Sequence, residues 1–511
     1  AVSATGARSN AWRTYLFSPL GRGGRAIFAL DVTDGMTAEN AASIFKWVFT
    51  ASDDADLGYS LVPPVRHNGS GQASQVVYLN NQKFAVLVPN GHGSANGLAA
   101  LFVLYVDGYG SSTSRWKDST GQPLGYRKLV AQASDSNNGM MGVTWVDLDN
   151  NGTADVVYAT DLKGQVWKFD IRSSNPADWR SALLSGSTPV PLFTATGRTG
   201  AALPITTAPV TSFPSFGGTM VSFGTGRAIE SSDFPDMTAP QRFFSVWDKG
   251  RYAADQIFPV PTGGAPNPLP SLAATRNQTV TTTNADGTTA TATAAVPTFL
   301  RRVLRRSSEG FVYQVATNAN GDPVDAQGRA TTDLTQEVPL LAGAASVPFD
   351  PSVHDGWYFD FPDVGEAVLS SPVARQNFLT FTSVRPLTSA TAAQSCSNAP
   401  LGTLYGFNPV SGLAVSGLLK TYIVRDAATG KDLAISTVGN DIGNDQGGIM
   451  VRDTTELPKD CDANGQCKDV PRCAAGRVPS RFVANNTDVN GCVPANDLRI
   501  QWREIPGMKT R

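Results

Sequence analysis

The residues best suited to chemistry form a short acidic run between two apolar segments. Within "WVDLDNNGTADVV", every second position offers an oxygen ligand: Asp147, Asp149, Asn151, Thr153 and Asp155. These are positions 1, 3, 5, 7 and 9 of a calcium-binding loop, and Gly152 stands at position 6, where such loops turn sharply. Because Ca²⁺ is a hard cation that takes about six to eight oxygens, the spacing predicts a calcium site.

The run departs from the EF-hand pattern at its end. Position 12 is Tyr158 instead of Glu, so the bidentate ligand is missing and water or a distant group must complete the shell. Position 7 donates its backbone carbonyl, so Thr153 need not be acidic. The flanking "GVTWV" and "VVYAT" are typical of strands, which places the loop in a β-hairpin. Three carboxylates and one amide predict a moderate affinity.

A plain hairpin turn is the alternative for this stretch. Asn-Gly alone makes a good turn, but a turn does not require Asp147, Asp149 and Asp155 together. Three unpaired carboxylates a few ångströms apart would repel one another, so we favour a cation. Calcium is preferred to magnesium, because magnesium takes fewer protein ligands. With no catalytic group in the same stretch, a structural or regulatory ion is expected.

No other motif predicts catalysis. The chain has three histidines and lacks GxSxG, HExxH and Walker sequences. His92 lies in the predicted turn "NGHGS", which favours a packing or surface role. A glycosidase-type carboxylate pair stays open, since acids are plentiful in predicted loops. We therefore predict no catalytic residue, no residue that binds an organic cofactor, and a protein that is not an enzyme.

Four of the five cysteines lie close together near the end of the chain: Cys461, Cys467, Cys473 and Cys492. They lack CxxC spacing and have no histidine nearby, so disulfides in an oxidising compartment are favoured over a zinc site. Of the three pairings, we prefer Cys461–Cys467 with Cys473–Cys492, although the sequence does not decide between them. Cys396 is either free or the partner of one of the four.

Composition narrows the classes of partner. Among 511 residues, 16% are charged and the net charge is −2, which argues against nucleic acid. The one basic patch, "RRVLRR" from Arg301, is interpreted as an exposed strand or helix face. No apolar run approaches the ~20 residues that span a bilayer. Because the chain starts at Ala1 without a signal peptide, we expect a processed or excised piece of a longer protein.

A strand pattern of glycine, aromatic residues and aspartate recurs along the chain at intervals of roughly 70 residues. Its copies begin at Gly24, Gly97, Gly164, Gln241, Gly310 and Gly402. Strands such as "FAVLVPNGHG" precede several copies and run into glycine turns. Such pairs form the inner half of a propeller blade, so we predict an all-β, modified β-propeller of six to eight blades. A large β-sandwich is the alternative.

We expect a single propeller domain over residues 1–511, with two segments outside the repeat. Residues 261–298 are rich in Thr, Ala and Pro and should form an exposed, flexible insertion. Residues 456–496 hold the cysteine cluster and should form a stapled loop module. The terminal "LRIQWREI", residues 498–505, regains strand character and is expected to close the ring.

Several of these motifs occur in an order that resembles a known family. They include "GRGGRAIFALDVTD", "NGHGSANG", "DLDNNGTADVVYATDLKGQVWKFD", "LPITTAPV", "VSFGTGRAIESSDF" and "GWYFDFP". Together they are similar to the C-terminal domain of the PilY proteins, which are type IV pilus biogenesis factors and tip adhesins related to the neisserial PilC adhesins. The resemblance runs from about Arg13 to Glu504, without the Thr/Ala insertion and the Cys-rich segment.

The resemblance implies a modified seven-bladed β-propeller, the C-terminal domain of a longer protein, with one calcium loop on the five residues named above. It implies export to the pilus tip, cell surface or outer membrane and periplasm of a Gram-negative bacterium. It further implies that the protein promotes pilus extension by opposing retraction, and that bound calcium gates this activity. Roles in adhesion and twitching motility are also implied. Minor pilins of the tip complex are the implied partners, with host or abiotic surfaces as further ligands. No RGD tripeptide occurs, so integrin binding through it is not expected.

Two other classes of function compete with this interpretation. "ATDLKGQVWKFD" is also similar to the blade repeat of quinoprotein dehydrogenases, which hold pyrroloquinoline quinone near calcium, usually beside a Cys-Cys pair. No such pair occurs here, and the calcium ligands follow one another in one hairpin. A lectin-like or protease-inhibiting propeller would instead act through its top loops. We favour the calcium-regulated, non-enzymatic module.

Overall fold

Strands dominate the chain in a computed structural model. It describes residues 13–34, 41–63, 66–67, 73–109, 115–132, 137–238, 240–250, 268–283, 289–342, 346–375, 378–386, 400–426, 429–442, 449–453, 459–461, 467–469, 477–484 and 487–494. Within these ranges the only α-helix is the single turn Ala41–Ile44, and two 3-10 turns span Gly21–Gly23 and Pro176–Asp178. No helix there has the length and apolar character needed to cross a membrane.

Sheets of three or more strands build the structure, and the described residues form six of them. We number five of them blades 1 to 5 in chain order and name the last the C-terminal sheet. Blade 1 contains β1 (Tyr15–Pro19), β2 (Ala26–Asp31) and β3 (Phe45–Thr50). A small hairpin follows, of β4 (Arg66–His67) and β5 (Ala73–Ser74). Blade 2 is a meander of β6 (Val77–Tyr78), β7 (Phe84–Pro89), β8 (Ala99–Tyr105) and β9 (Tyr126–Gln132).

Blades 3 and 4 each contain five strands. Blade 3 comprises β10 (Met140–Val146), β11 (Val156–Asp161), β12 (Gln165–Asp170), β13 (Arg180–Ser181) and, after the hairpin β14 (Leu184–Ser185) and β15 (Thr188–Pro189), β16 (Phe193–Thr194). Blade 4 comprises β17 (Val210–Ser212), β18 (Thr219–Gly224), β19 (Arg242–Asp248) and two later strands. The hairpin β20 (Thr275–Thr283) and β21 (Thr289–Pro297) precedes the first of these, β22 (Phe299–Arg301).

Blade 5 is interleaved with the end of blade 4. Its first strands are β23 (Leu304–Arg306) and β24 (Phe311–Gln314), and β25 (Gly356–Asp360) then returns to blade 4 beside β19 and β22. Blade 5 continues with β26 (Val373–Arg375), β27 (Phe378–Arg385) and β28 (Leu401–Phe407) and, after the hairpin β29 (Tyr422–Arg425) and β30 (Asp432–Ile435), with β31 (Thr437–Asp441).

The C-terminal sheet contains β32 (Ile449–Asp453), β35 (Arg477–Ala484) and β36 (Thr487–Pro494), with the hairpin β33 (Lys459–Cys461) and β34 (Cys467–Asp469) inserted. Cys461 faces Cys467 in the register of that hairpin. Cys396 and Cys473 lie outside the described residues, as does the expected closing strand at 498–505. The disulfide pairing, with Cys492 as the fourth member, and the Cys-rich module therefore stay predictions.

The all-β prediction is confirmed, and the repeat is found in the strands. Its six copies are β2, β8, β12, β19, β24 and β28, and the expected partners β7, β11 and β18 pair antiparallel with the strands that follow them. However, β24 and β28 belong to one sheet, on either side of β31. Six copies thus correspond to five blades, and seven blades stay a prediction.

Consecutive blades pack face to face through apolar side chains, as blades of a propeller do. Phe49 and Phe102 meet between blades 1 and 2, with ring centroids 5.3 Å apart. Phe243 stacks on Phe381 between blades 4 and 5 at 4.1 Å. Similar buried clusters join blade 2 to blade 3 and blade 3 to blade 4. The interfaces fix each blade, and its turns, against the next.

Other expectations have mixed outcomes. The basic patch is not an exposed face: Arg302 is 3% exposed, and Arg306 forms ion pairs with Asp363, Glu366 and Asp441. Part of the Thr/Ala segment is the hairpin of β20 and β21, two strands of nine residues each. Residues 261–267 and 284–288 lie outside the described ranges, so the flexibility of this insertion stays a prediction.

One five-residue turn closes several hairpins. The side-chain oxygen of its first residue accepts hydrogen bonds from the backbone N–H groups two and four residues later, which is an Asx turn. The fourth residue is glycine with φ between 73° and 85°, a left-handed conformation that glycine adopts without strain. These Asx turns begin at Asp118, Asp161, Asn318 and Asp325.

The Asx turn of Asp161 lies in the interior of blade 3. Its carboxylate also accepts hydrogen bonds from Trp167 Nε1 at 2.8 Å and Asn138 Nδ2 at 2.9 Å. No Lys or Arg of the described residues forms an ion pair with it. Burial therefore outweighs these hydrogen bonds and raises the pKa of Asp161 to about 6.

The stability of the protein should therefore depend on the protonation of Asp161. Between about pH 4 and pH 6 the folded state holds a proton that the unfolded chain has released, so the free energy of unfolding should fall by about 3 kcal/mol as pH rises through this window. In urea denaturation, Asp161→Asn should remove this fall, whereas Asp118→Asn, in an exposed Asx turn, should keep it. An equal pH dependence in wild type and Asp161→Asn would contradict the assignment.

Candidate metal centre

The acidic run forms the turn of the hairpin between β10 and β11 in blade 3. Val146 pairs with Val156 in the register, so residues 147–155 form the loop between the strands. Asp155 N–H donates to Val146 O at 2.9 Å and closes the base of the loop. The β-hairpin context expected for this loop is therefore confirmed.

Three carboxylates converge inside the loop. Asp147, Asp149 and Asp155 each offer an oxygen, and these oxygens lie within 4.8 Å of one another. Asp155 is buried, Asp147 is half-buried and Asp149 is exposed. Two oxygens on opposite sides of a Ca²⁺ ion at about 2.5 Å each are about 5 Å apart. The spacing fits one calcium ion between the three side chains.

Backbone N–H groups hold the carboxylates in this arrangement. Asn151 N–H donates to Asp147 Oδ1 at 3.1 Å and Asp149 Oδ1 at 3.0 Å, and Gly152 N–H donates to Asp147 Oδ2 at 2.9 Å. Leu148 N–H donates to Asp155 Oδ2 at 2.8 Å. Gly152, with φ of 90°, makes the sharp turn expected at position 6. Each carboxylate oxygen retains a lone pair for a cation.

The electrostatics of the loop favour a cation. Burial raises the pKa of Asp147, and the adjacent Asp149 carboxylate raises it further. Burial likewise raises the pKa of Asp155, to which the charge of Asp149 also contributes. Across the part of the chain that the structure describes, no Lys or Arg forms an ion pair with these three acids. A bound Ca²⁺ would supply the missing positive charge, so the residues present fit the ion that their spacing predicts.

The other two expected ligands lie in the same loop. Asn151 Oδ1 accepts a hydrogen bond from Thr153 N–H at 2.7 Å, and Asn151 Nδ2 donates to Asp149 Oδ2 at 2.9 Å. The structure thus brings together the three carboxylates and leaves Asn151 and Thr153 hydrogen-bonded beside them. That all five coordinate an ion stays a prediction. Tyr158, at position 12, points elsewhere: its hydroxyl donates to Asp248 Oδ2 at 2.6 Å in the core.

Sequence reasoning missed one residue of the site, Asn80. It lies in the turn between β6 and β7 of blade 2, and its Nδ2 donates to Ala154 O at 2.9 Å. The same Nδ2 lies 3.4 Å from Asp155 Oδ1, and Thr153 Oγ1 donates to Asn80 Oδ1 at 3.0 Å. Asn80 therefore links the loop to the neighbouring blade. Its sequence context, "LNNQK", has the character of an ordinary turn and gives no sign of this contact.

Asn80→Ala should weaken calcium binding by roughly tenfold, because groups that orient metal ligands typically contribute a factor of 10–100 to affinity. The loop keeps its three carboxylates, so binding should persist. Calcium titration by calorimetry would measure the change. Asn320→Ala, which removes an exposed amide from a turn of blade 5, is the matched control and should leave the affinity unchanged. An unchanged affinity in Asn80→Ala would show that the link to blade 2 does not support the loop.

Comparison with known proteins gives one consistent relationship. Residues 2–283 match the family model described as the PilY1 beta-propeller domain. A type IV pilus biogenesis factor PilY1 homologue of Xylella fastidiosa is 31% identical over 252 residues, which is 47% of this chain and 15% of that protein. PilY1 of Pseudomonas aeruginosa PAO1 is 31% identical over 255 residues, 47% of this chain and 19% of that protein. The chain thus spans less than a fifth of these relatives' lengths.

A solved structure extends the likeness to nearly the whole chain. The crystal structure of the Pseudomonas aeruginosa PilY1 C-terminal domain aligns with a TM-score of 0.57 over 95% of this chain and 81% of that domain. The two sequences are 20% identical over this alignment, so the likeness is one of fold. Together with the family match, it confirms the β-propeller over the sandwich alternative.

Proposed function

Because this chain belongs to the PilY1 β-propeller family of type IV pilus biogenesis factors, we propose that it is a calcium-regulated module that promotes pilus extension by opposing retraction. The observation that carries this proposal is the acidic loop held between two blades. Its carboxylates lie at calcium spacing, and Asn80 of the neighbouring blade 2 contacts that of Asp155. Membership of a family of pilus biogenesis factors supports a regulatory ion in a protein that is not an enzyme.

The proposed mechanism is linkage between calcium and one arrangement of the loop. Calcium neutralises three mutually repelling carboxylates and so stabilises the arrangement that binds it by RT ln(1 + [Ca²⁺]/Kd). A partner that contacts blades 2 and 3 would distinguish this arrangement from the calcium-free one. Minor pilins of the tip complex are the partners we propose. Host or abiotic surfaces would be further ligands in adhesion and twitching motility.

The proposed location follows from the same family. We place the protein outside the cytoplasm of a Gram-negative bacterium, at the pilus tip, on the cell surface, or in the outer membrane and periplasm. Disulfides among the four clustered cysteines would suit an oxidising compartment of this kind. The site does not support the quinoprotein alternative, because the acids of the site follow one another in a single hairpin.

Pilus counts in cells test this proposal. A strain that carries Asp155→Asn in the full-length protein should display fewer surface pili and move less by twitching. Deleting the retraction motor should restore the pilus number, since the variant fails only to oppose retraction. Asp118→Asn, an acid outside the metal loop, should behave as wild type. Normal piliation in Asp155→Asn would contradict calcium regulation, and a deficit that persists without the motor would contradict the anti-retraction role.

A further inference from the structure

A cleft lies where blade 2 meets the 3-10 turn of blade 3. Its volume is about 310 Å³. Both polar and apolar side chains line it. The lining residues are Asn81, Lys83, Tyr105 and Arg127 together with Pro123, Leu124, Tyr126 and Pro176. We name it the inter-blade cleft.

The inter-blade cleft holds an excess of positive charge. Lys83 and Arg127 line it, and no carboxylate does. Among the residues that the structure describes, neither cation forms an ion pair. Lys83 Nζ lies 4.6 Å from the centroid of the Tyr105 ring, a cation–π contact that leaves the ammonium group open to a ligand. Burial raises the pKa of nearby Asp107, and Lys83 opposes this shift without pairing with it.

The apolar lining residues limit the class of ligand. Leu124 is 40% exposed and lines the cleft together with Pro123 and Pro176, so an apolar group of the ligand would pack there. The residues Tyr105 and Tyr126 are only 7% and 1% exposed, which leaves too little aromatic face for a sugar ring to stack on. A carboxylate next to an apolar side chain satisfies both halves of the cleft. This combination is common in peptides.

We propose that the inter-blade cleft binds an acidic peptide segment of a partner protein, whose carboxylate lies between Lys83 and Arg127. Two cations on one carboxylate give charge-assisted hydrogen bonds, the strong class in proteins. Leu124 and the prolines contact the apolar neighbour of the acidic residue. The proposed pilus partner would therefore present an acidic residue next to an apolar one.

The turn between β6 and β7 connects this cleft to the metal loop. Asn80 contacts the loop, and the next residue, Asn81, lines the cleft and donates to the Tyr105 hydroxyl at 3.1 Å. Lys83 N–H also donates to Asn81 Oδ1, at 3.3 Å. One short turn therefore positions both the loop contact and part of the peptide site. Calcium should strengthen peptide binding through this turn, an expectation that rests on the proposed function.

Calorimetry with a capped peptide tests the proposal on the full chain. The probe is acetyl-Pro-Leu-Glu-Gly-amide, and the control peptide has Gln in place of Glu. In saturating calcium, the Glu peptide should bind at least about tenfold more tightly than the Gln peptide, because only the carboxylate pairs with two cations. Lys83→Gln combined with Arg127→Gln should remove this preference. Lys431→Gln, in an exposed turn of blade 5, is the matched control and should keep it.

Each outcome supports or overturns the proposal. Equal binding of the two peptides, or an unchanged preference in the double variant, would overturn it. So would binding of heparin or sialyllactose at the cleft while neither peptide binds. Charge-specific peptide binding in a protein that takes up no calcium would support the cleft and contradict the proposed function. If calcium binds but leaves the peptide affinity unchanged, the link through the turn is wrong.

Discussion

Asp155→Asn should weaken calcium binding at least about a hundredfold, more than the loss of a group that only orients ligands. Asp155 is the buried member of the three acids, 2% exposed, and lies immediately before β11. Asparagine has the same shape and can still accept the hydrogen bond that Leu148 N–H donates to Asp155 Oδ2. The substitution thus removes one negative charge from the ligands that surround the ion, while the loop keeps its fold.

Calcium titration at pH 7 measures this effect, with circular dichroism as the check on the fold. Asp118→Asn also removes one acid from a turn, but that acid lies outside the metal cluster, so its calcium affinity should equal that of wild type. A Kd for Asp155→Asn within threefold of the wild-type value would remove Asp155 from the site.

Asn90→Ala should destabilise the protein by about 4 kcal/mol, the summed loss of four buried hydrogen bonds at about 1 kcal/mol each. Asn90 is completely buried and its amide joins three segments. Its Nδ2 donates to Asp56 O and Leu98 O, each at 2.8 Å. Its Oδ1 accepts from the N–H groups of Ala100 at 3.0 Å and Met140 at 2.9 Å. The side chain thereby ties the loop after blade 1 to blades 2 and 3.

Urea denaturation at constant calcium would measure the loss. Asn90→Asp separates hydrogen bonding from packing, because it preserves the volume but sets an oxygen against two carbonyl oxygens. It should therefore be at least as unstable as Asn90→Ala. If Asn90→Asp retains wild-type stability, the donated hydrogen bonds are not what holds this junction together.

The turn and the convergence of its three carboxylates could be predicted, because the sequence information for them is local. Calcium ligands at alternate positions and a glycine at the turn follow from the size of the ion and the geometry of a tight loop. Asn80 could not be predicted, because it reaches the loop only through the packing of blade 2 on blade 3. No periodicity within a single strand reports which turn of another blade will lie beside it.

The same distinction between local and long-range information explains why the strands could be predicted but their assignment to blades could not. Each strand of the repeat has its own glycine, aromatic and acidic pattern, so β2 and β8 could be recognised individually. Sheet membership is a long-range property: β31 inserts between β24 and β28, which begin roughly 90 residues apart, and joins them in one sheet.

The low exposure of the arginines in "RRVLRR" could not be predicted for a similar reason. The Arg306 side chain is only 9% exposed, because Glu366 and Asp441, far along the chain, pair with it. Arg302 donates to the carbonyl oxygens of Val347 and Ser411 instead. A run of basic residues in the sequence does not show which acids and carbonyl groups will lie beside it in the folded protein.

The Asx turns have a practical use in microscopy. Because the capping oxygen comes from the first residue of the turn itself, the exposed middle positions are free to carry a foreign group. The Asp325 turn follows β24 of blade 5, in a different blade from the metal loop, and Ala326 at its tip is exposed. A single dye coupled to Ala326→Cys would mark the protein on living cells. If the proposed location at the pilus tip holds, the arrival of the protein at the end of a filament and its loss from there could be followed in real time.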